Sequence, residues 1–140
     1  MFTYETLDAI ADAYNPTLFI VFIVFSFIYY KQSGWLVVFK GFLGILICYL
    51  VMFADNTLKL WHTLSLDYST HSSVAFSLVY FLIHRCTIKS SVSLSFVTSL
   101  ICYYLLVIYQ QYHTIQDIIS TLIIVVPLIF YAYRGVDLLR

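Results

Sequence analysis

The sequence predicts an all-α protein, a multi-pass membrane helical bundle of about five transmembrane helices with a short amphipathic helix at its N-terminus. Hydrophobic residues make up 62% of the 140 residues and charged residues only 10%. The mean hydropathy is +0.93, whereas a soluble domain of this size needs far more charge on its surface. Apolar runs also recur along the chain between short polar stretches. We therefore expect one membrane domain over residues 1–140.

The N-terminal segment, residues 2–14, carries three acidic residues among apolar ones. This pattern is typical of a short amphipathic helix that lies at the membrane interface. Asn15 and Pro16 then favour the start of a new helix, because asparagine caps free amides and proline fits the first turn. No positive charge precedes the first apolar run, so we expect this segment to be retained rather than cleaved as a signal peptide.

The predicted spans follow from the positions of the apolar runs. They cover about residues 16–30, 35–53, 72–85, 92–109 and 114–133. The longest polar connection, residues 54–70, still contains leucines and a tryptophan, so we expect it to continue the second helix and then lie along the interface. Pro127 predicts a kink in the last span, which membrane helices tolerate.

Basic residues indicate the orientation. Lys59 stands on one predicted side, and six basic residues stand on the other: Lys31, Lys40, Arg85, Lys89, Arg134 and Arg140. By the positive-inside rule, the side with six is cytoplasmic. The N-terminus is then outside and the C-terminus inside. The net charge of zero provides no basic surface for nucleic acid.

The three cysteines, Cys48, Cys86 and Cys102, match neither a zinc pattern nor a disulfide framework. We interpret them as small apolar packing residues.

Two short polar segments precede predicted spans on the outer side, at residues 67–73 and 112–117. In the second segment, His113 and Asp117 are four residues apart at a helix start and share one face. The carboxylate can therefore accept a hydrogen bond from one ring nitrogen and leave the other free to attack or to take a proton.

The first segment places His71 at the start of another helix, where backbone amides and the helix dipole favour an anion. Ser69 and Thr70 add hydroxyl groups there, and Lys59 supplies a cation on the same side. Phosphoryl transfer through a phosphohistidine needs a nucleophile, an acid and an anion site of this kind.

These segments resemble the motifs of a known family. Residues 68–76, YSTHSSVAF, resemble the P-S-G-H-x-x-x-A motif of the type 2 phosphatidic acid phosphatases, and residues 113–119, HTIQDII, resemble the end of their S-R-x5-H-x3-D-[VI] motif. The resemblance covers roughly residues 55–124. It implies a membrane lipid phosphate as substrate, with no metal and no cofactor. It implies that His113 is the nucleophile, Asp117 its orienting carboxylate and His71 the acid, with Lys59, Ser69 and Thr70 binding the phosphate.

The sequence departs from the family at the residues that clamp phosphate. Leu66 stands in place of the arginine of the K-x6-R-P motif that starts at Lys59, and Val107 stands in place of the arginine six residues before His113. Bidentate arginine is the usual phosphate ligand in proteins. Two hypotheses follow: a lipid-phosphate phosphatase or phosphotransferase with an extracytoplasmic active site, or a non-catalytic membrane subunit or lipid-binding protein of the same fold.

Each candidate residue also has a structural interpretation. Residues 114–117 form a capping box that would stabilise any helix start, His71 can serve as part of a helix cap, and Lys59 can be an ordinary interfacial lysine. A metal site has no diagnostic ligand spacing; its ligands would be His62, Asp67, His71 and His113. Five short spans bury little surface, so homo- or hetero-oligomers are expected.

Overall fold

The computed structural model describes residues 3–85 and 90–138, and every regular element within these ranges is a helix. The helices are α1 (Tyr4–Tyr30), α2 (Gly34–Leu58), α3 (Leu60–Thr63), α4 (Thr70–Arg85), α5 (Ser90–Tyr109) and α6 (Ile115–Leu138), with a 3-10 turn at Lys31–Ser33 between α1 and α2. The predicted all-α class is confirmed.

Within the described ranges, four helices are long and apolar enough to cross a membrane: α1, α2, α5 and α6. Their mean hydropathy over the best window lies between 1.6 and 2.4, and their exposed faces are rich in large apolar side chains. The chain is therefore an integral membrane helical bundle.

The short helix α4 occupies the centre of this bundle. It has 16 residues and packs against α1, α2, α5 and α6. Its buried residues lie on several faces and include small ones: Ser72, Ser73, Ala75, Ser77, Leu78, Val79, Phe81 and Leu82. Small residues let helix backbones approach closely in membranes. A helix enclosed by others can also carry serines that a lipid-facing helix would expose to hydrocarbon.

Two glycines of α2 allow its close packing against neighbouring helices. A Cβ atom on Gly41 would overlap the ring of Phe22 in α1, and one on Gly44 would overlap Ser77 of α4 and Tyr133 of α6. Phe22 is fully buried. A larger residue at either position would require these side chains, or α2 itself, to shift.

The N-terminal segment differs from the prediction of a separate interfacial helix. Helix α1 is continuous, with Pro16 in its interior. Contacts with the end of α5 hold its first turns on the bundle: Tyr14 stacks on Tyr103 with ring centroids 4.2 Å apart, and the Tyr4 hydroxyl donates to the Gln110 carbonyl at 3.3 Å. Such tertiary contacts offset the helical hydrogen bond that the proline removes.

The connection after α2 is held against the bundle by Trp61. Helix α2 continues to Leu58 as expected, but the chain then turns back over the end of the bundle. Trp61 is 3% exposed; its indole N–H donates to Ser120 Oγ at 2.9 Å, and its backbone N–H donates to Asp55 Oδ1 at 2.8 Å. The tryptophan thus ties this connection to α6.

Long-range hydrogen bonds show which helix ends lie together. Asn15 reaches the start of α4, Tyr4 reaches the end of α5, and Trp61 joins the end of α2 to the start of α6. We call this end of the bundle the site end. By connectivity, Lys31 and Arg134 belong to the opposite end, whereas Lys89 and Arg140 lie outside the described residues.

Candidate functional site

A cavity of about 720 Å³ opens at the site end between α1, α2 and α4. One part of its wall is polar: Asp12, Asn15, Asp67, Thr70, His71 and His113. The rest is largely apolar and includes Phe19, Phe42, Ile45, Met52, Val74 and Leu78. The cavity therefore has a polar end and an apolar wall, as a site for an amphiphilic molecule requires.

A second cavity of about 270 Å³ lies beside the first, towards α5. The two share four titratable residues: Asp12, Asp67, His71 and His113. The fold thus brings His71 and His113, 42 residues apart in the chain, to the same pair of cavities. The two polar segments of the sequence belong to one site.

Two carboxylates lie near the Nδ1 side of the His113 ring. Its Nδ1 atom is 3.7 Å from Asp67 Oδ2 and 4.0 Å from Asp117 Oδ2, distances beyond a hydrogen bond. Nδ1 is buried and has no hydrogen-bond partner within the described ranges. Two carboxylates on this side favour the tautomer with its proton on Nδ1. The other nitrogen, Nε2, is then the one available to a ligand.

Asp117 acts in the structure as a helix cap. Its Oδ1 accepts the N–H of Asp67 at 2.8 Å, and its Oδ2 accepts the N–H of Thr114 at 2.8 Å. Its own N–H donates to Thr114 Oγ1 at 3.2 Å, which completes the capping box. The expected hydrogen bond from His113 to Asp117 is not formed. The carboxylate oxygens of Asp117 accept instead the backbone N–H groups of Asp67, in the loop before α4, and of Thr114, directly before α6.

Ser69 is turned into the protein rather than towards the cavities. It is fully buried; its N–H donates to Thr121 Oγ1 at 3.0 Å, and its hydroxyl donates to Ser72 Oγ at 2.7 Å. Thr70, the first residue of α4, does line the larger cavity. Of the two predicted phosphate-binding hydroxyl residues, only Thr70 lies at the site.

His71 is exposed and its backbone is fixed from α1. The Asn15 side-chain amide donates to the His71 carbonyl at 3.1 Å, and the neighbouring carbonyl of Ser72 accepts from the Tyr104 hydroxyl at 2.9 Å. The sequence interpretation missed Asn15 and Asp12, since it placed them on or beside a separate interfacial helix. The signal that could have identified these two residues is that both are polar and directly precede an apolar run.

The predicted cation, Lys59, does not line either cavity. It is exposed and connects α2 to α3 in a left-handed conformation, with φ of 53°. The described wall of the two cavities contains no lysine or arginine. His62 is exposed on α3 and also lies outside the cavity walls. Within the described ranges, no group of three or more His, Cys, Asp or Glu residues is arranged to hold a metal ion.

Tyr68 anchors the loop that leads into α4. It is 6% exposed, and its hydroxyl lies 2.9 Å from the Cys48 carbonyl and 3.0 Å from Ser73 Oγ. Burial raises the pKa of Tyr68. Its phenol is therefore neutral at physiological pH and serves as a structural donor.

Comparison with known protein families, curated proteins and solved structures found no match to this chain. The resemblance to the type 2 phosphatidic acid phosphatases therefore depends on the two motifs and on their meeting at one site.

Proposed function

We propose that the chain is a lipid-phosphate phosphatase or phosphotransferase that acts through a phosphohistidine at the site end. The observation that supports this proposal is the meeting of His71 and His113 at a cavity with a polar end and an apolar wall. The apolar wall suits a lipid chain, and the two histidines suit the phosphate group at its end.

In the proposed reaction, His113 Nε2 attacks the phosphorus atom and the bond to the lipid oxygen breaks. His71 gives its proton to the departing oxygen. Water, or an alcohol in a transfer reaction, then gives its proton to His71 while its oxygen attacks the phosphohistidine, and the bond from phosphorus to Nε2 breaks. Asp67 provides the carboxylate nearest to His113. Asp117 acts through Asp67, whose backbone it holds.

The site is proposed to face the extracytoplasmic side. By connectivity, Lys31 and Arg134 belong to the opposite end of the bundle, and basic residues favour the cytoplasm. A lipid phosphate would then come from the outer leaflet.

A second candidate function is a non-catalytic lipid-binding protein or membrane subunit. The charge of the site favours it, because Asp12 and Asp67 line the cavities and the described wall holds no lysine or arginine. Two carboxylates repel a phosphate unless positive charge balances them. They suit a hydroxyl or amine head group instead. An arginine from a partner chain would reconcile this candidate with the first.

Phosphate release in detergent distinguishes the two candidates. The substrates are a single-chain alkyl phosphate, a two-chain phosphatidate and an isoprenyl diphosphate, each with a chelator present. We expect release by the unmodified chain and a loss of about 100-fold or more in His113→Ala, the scale of a lost catalytic histidine.

His62→Ala is the matched control, because His62 is exposed outside both cavities and should leave release unchanged. Absence of release from every substrate, by protein that shows a cooperative melting transition, would overturn the catalytic proposal and favour the second candidate.

A further inference from the structure

The polar end of the larger cavity carries more negative than positive charge. Asp12 of α1 and Asp67, in the loop before α4, line both cavities. A third carboxylate, that of Asp117, lies 4.0 Å from Nδ1 of His113. The described wall contains no lysine or arginine, so only His71 and His113 can supply positive charge there. Even with both histidines protonated, the three carboxylates would leave one negative charge unbalanced.

The same end of the cavity holds a hydrogen-bond acceptor without a donor. Asn15 lines the larger cavity and lies about one turn of α1 after Asp12. Its side-chain amide donates to the His71 carbonyl at 3.1 Å, whereas its Oδ1 atom is buried and has no hydrogen-bond partner within the described ranges. A ligand that brings a donor to such an acceptor removes the cost of leaving it unsatisfied. This observation is independent of the charges, and it also points to a ligand with N–H groups.

An ammonium group meets both requirements. It carries one positive charge and three N–H donors, and its hydrogen bonds to carboxylates are charge-assisted. The apolar wall, which includes Phe19 of α1, Ile45 of α2 and Leu78 of α4, suits the hydrocarbon part of the same molecule. A lipid hydroxyl would satisfy the acceptor but not the charge, and a phosphate alone would add negative charge.

We propose that the polar end of the larger cavity binds the ammonium group of an amphiphile, with Asp12 and Asp67 as its carboxylate partners. This inference rests on the amphiphile binding that underlies both candidate functions, but it does not require turnover. For the proposed enzyme, it narrows the substrate class to lipid phosphates that carry an amine beside the phosphate. The ammonium group then balances the carboxylates and allows the phosphate to lie at His71 and His113, where the described wall supplies no arginine.

Competition between head groups tests this inference. The full chain is placed in micelles of an uncharged maltoside detergent and labelled with a photoactivatable hexadecylamine that has a diazirine near its chain end. Hexadecylamine, hexadecanol and hexadecyl phosphate then compete with the label. We expect hexadecylamine to compete at a concentration about tenfold lower than hexadecanol, which corresponds to about 1.4 kcal/mol in binding. Hexadecyl phosphate should compete less well than the amine.

Substitutions on α1 test the role of the carboxylate. Asp12→Asn removes the charge but keeps the shape, so it should lower the affinity for hexadecylamine by about fivefold or more and change that for hexadecanol less than about twofold. Asp12→Glu keeps the charge and should retain the preference for the amine. Glu5→Gln is the matched control, because Glu5 is exposed on the same helix and lines neither cavity.

Equal competition by the amine and the alcohol, or stronger competition by the phosphate, would overturn the inference. Equal losses of amine and alcohol binding in Asp12→Asn would also overturn it, because they would show a purely structural role. If Asp12→Asn does not fold, salt replaces it: a rise from about 0.05 M to about 0.5 M NaCl should reduce the preference for the amine by about threefold, and a preference independent of salt would reject the ion pair.

The same ligands separate this inference from the proposed catalysis. A preference for the amine without phosphate release from any substrate, including 2-aminohexadecyl phosphate, would reject only the catalysis. Release from hexadecyl phosphate by a chain with no preference for the amine would reject only this inference.

Discussion

The two polar segments, residues 67–73 and 112–117, meet at the site end. Each is held by hydrogen bonds within the protein, but their two histidines have different surroundings. In each segment, some residues are bound within the protein: Tyr68 and Ser69 before α4, and Asp117, which accepts the N–H groups of Asp67 and Thr114. His71 remains exposed, whereas the side chain of His113 is 13% exposed and has two carboxylates near its Nδ1 atom.

This difference would suit the separate roles proposed for the two histidines. The Nδ1 atom of His113 is buried near the two carboxylates, which leaves Nε2 as the nitrogen that could act as the proposed nucleophile. His71 has greater freedom and greater access to water, which suits a group that exchanges protons. The neighbouring Ser69 and Asp117 hold the segments in place and would affect activity through the positions of the histidines.

The largest effect on the fold is expected from Asp117→Ala. This change removes the acceptor of two backbone N–H groups from a residue that is 6% exposed. Because hydrogen bonds to a charged group contribute about 1.5–3 kcal/mol each, we expect a loss of about 3 kcal/mol in the free energy of unfolding. Thermal melting in detergent measures it. Asp117→Asn keeps one carbonyl acceptor and should lose less; equal melting of both variants and the unmodified chain would contradict the capping role.

A smaller loss in the free energy of unfolding is expected from Thr121→Val. Thr121 lies in α6 and binds Ser69, directly before α4. Valine keeps the shape of threonine but removes the acceptor of the Ser69 N–H. An unsatisfied buried donor costs about 1–3 kcal/mol, and we expect the lower part of that range, measured by the same melting experiment. Thr57→Val makes the same chemical change at an exposed position and should stay within about 0.5 kcal/mol. A Thr121→Val variant as stable as Thr57→Val would show that Ser69 does not depend on this bond.

The smallest perturbation tests the exposure of the histidines without any substitution. Diethyl pyrocarbonate modifies accessible imidazole nitrogens, and mass spectrometry of peptides gives the rate at each residue. We expect His71 to react at a rate similar to that of His62, which is also exposed. His113 should react more slowly by about tenfold, since its side chain is only 13% exposed and its Nδ1 atom is buried. Equal rates at His71 and His113 would contradict the difference in exposure between the two histidines.

Much of the fold could be predicted because hydropathy and helix signals are local properties of a sequence. Apolar runs located the long helices, and the capping box of residues 114–117 marked the start of α6 to within one residue. The same local pattern included Asp117 in the candidate site, but it did not distinguish a cap from a catalytic carboxylate. Both uses place an acidic residue at a helix start, and only the positions of the amides around it separate them.

By itself, the sequence determined the membrane class, the order of the helices and the two histidine segments. Tertiary structure decided which side chains meet at the site. It kept α1 continuous through Pro16, brought Asp12 and Asn15 beside His71, and left Lys59 outside both cavities. The physical reason is that contacts such as the one from Asn15 to His71 depend on how whole helices pack, and helix packing is set by the summed shapes of many side chains rather than by a local pattern.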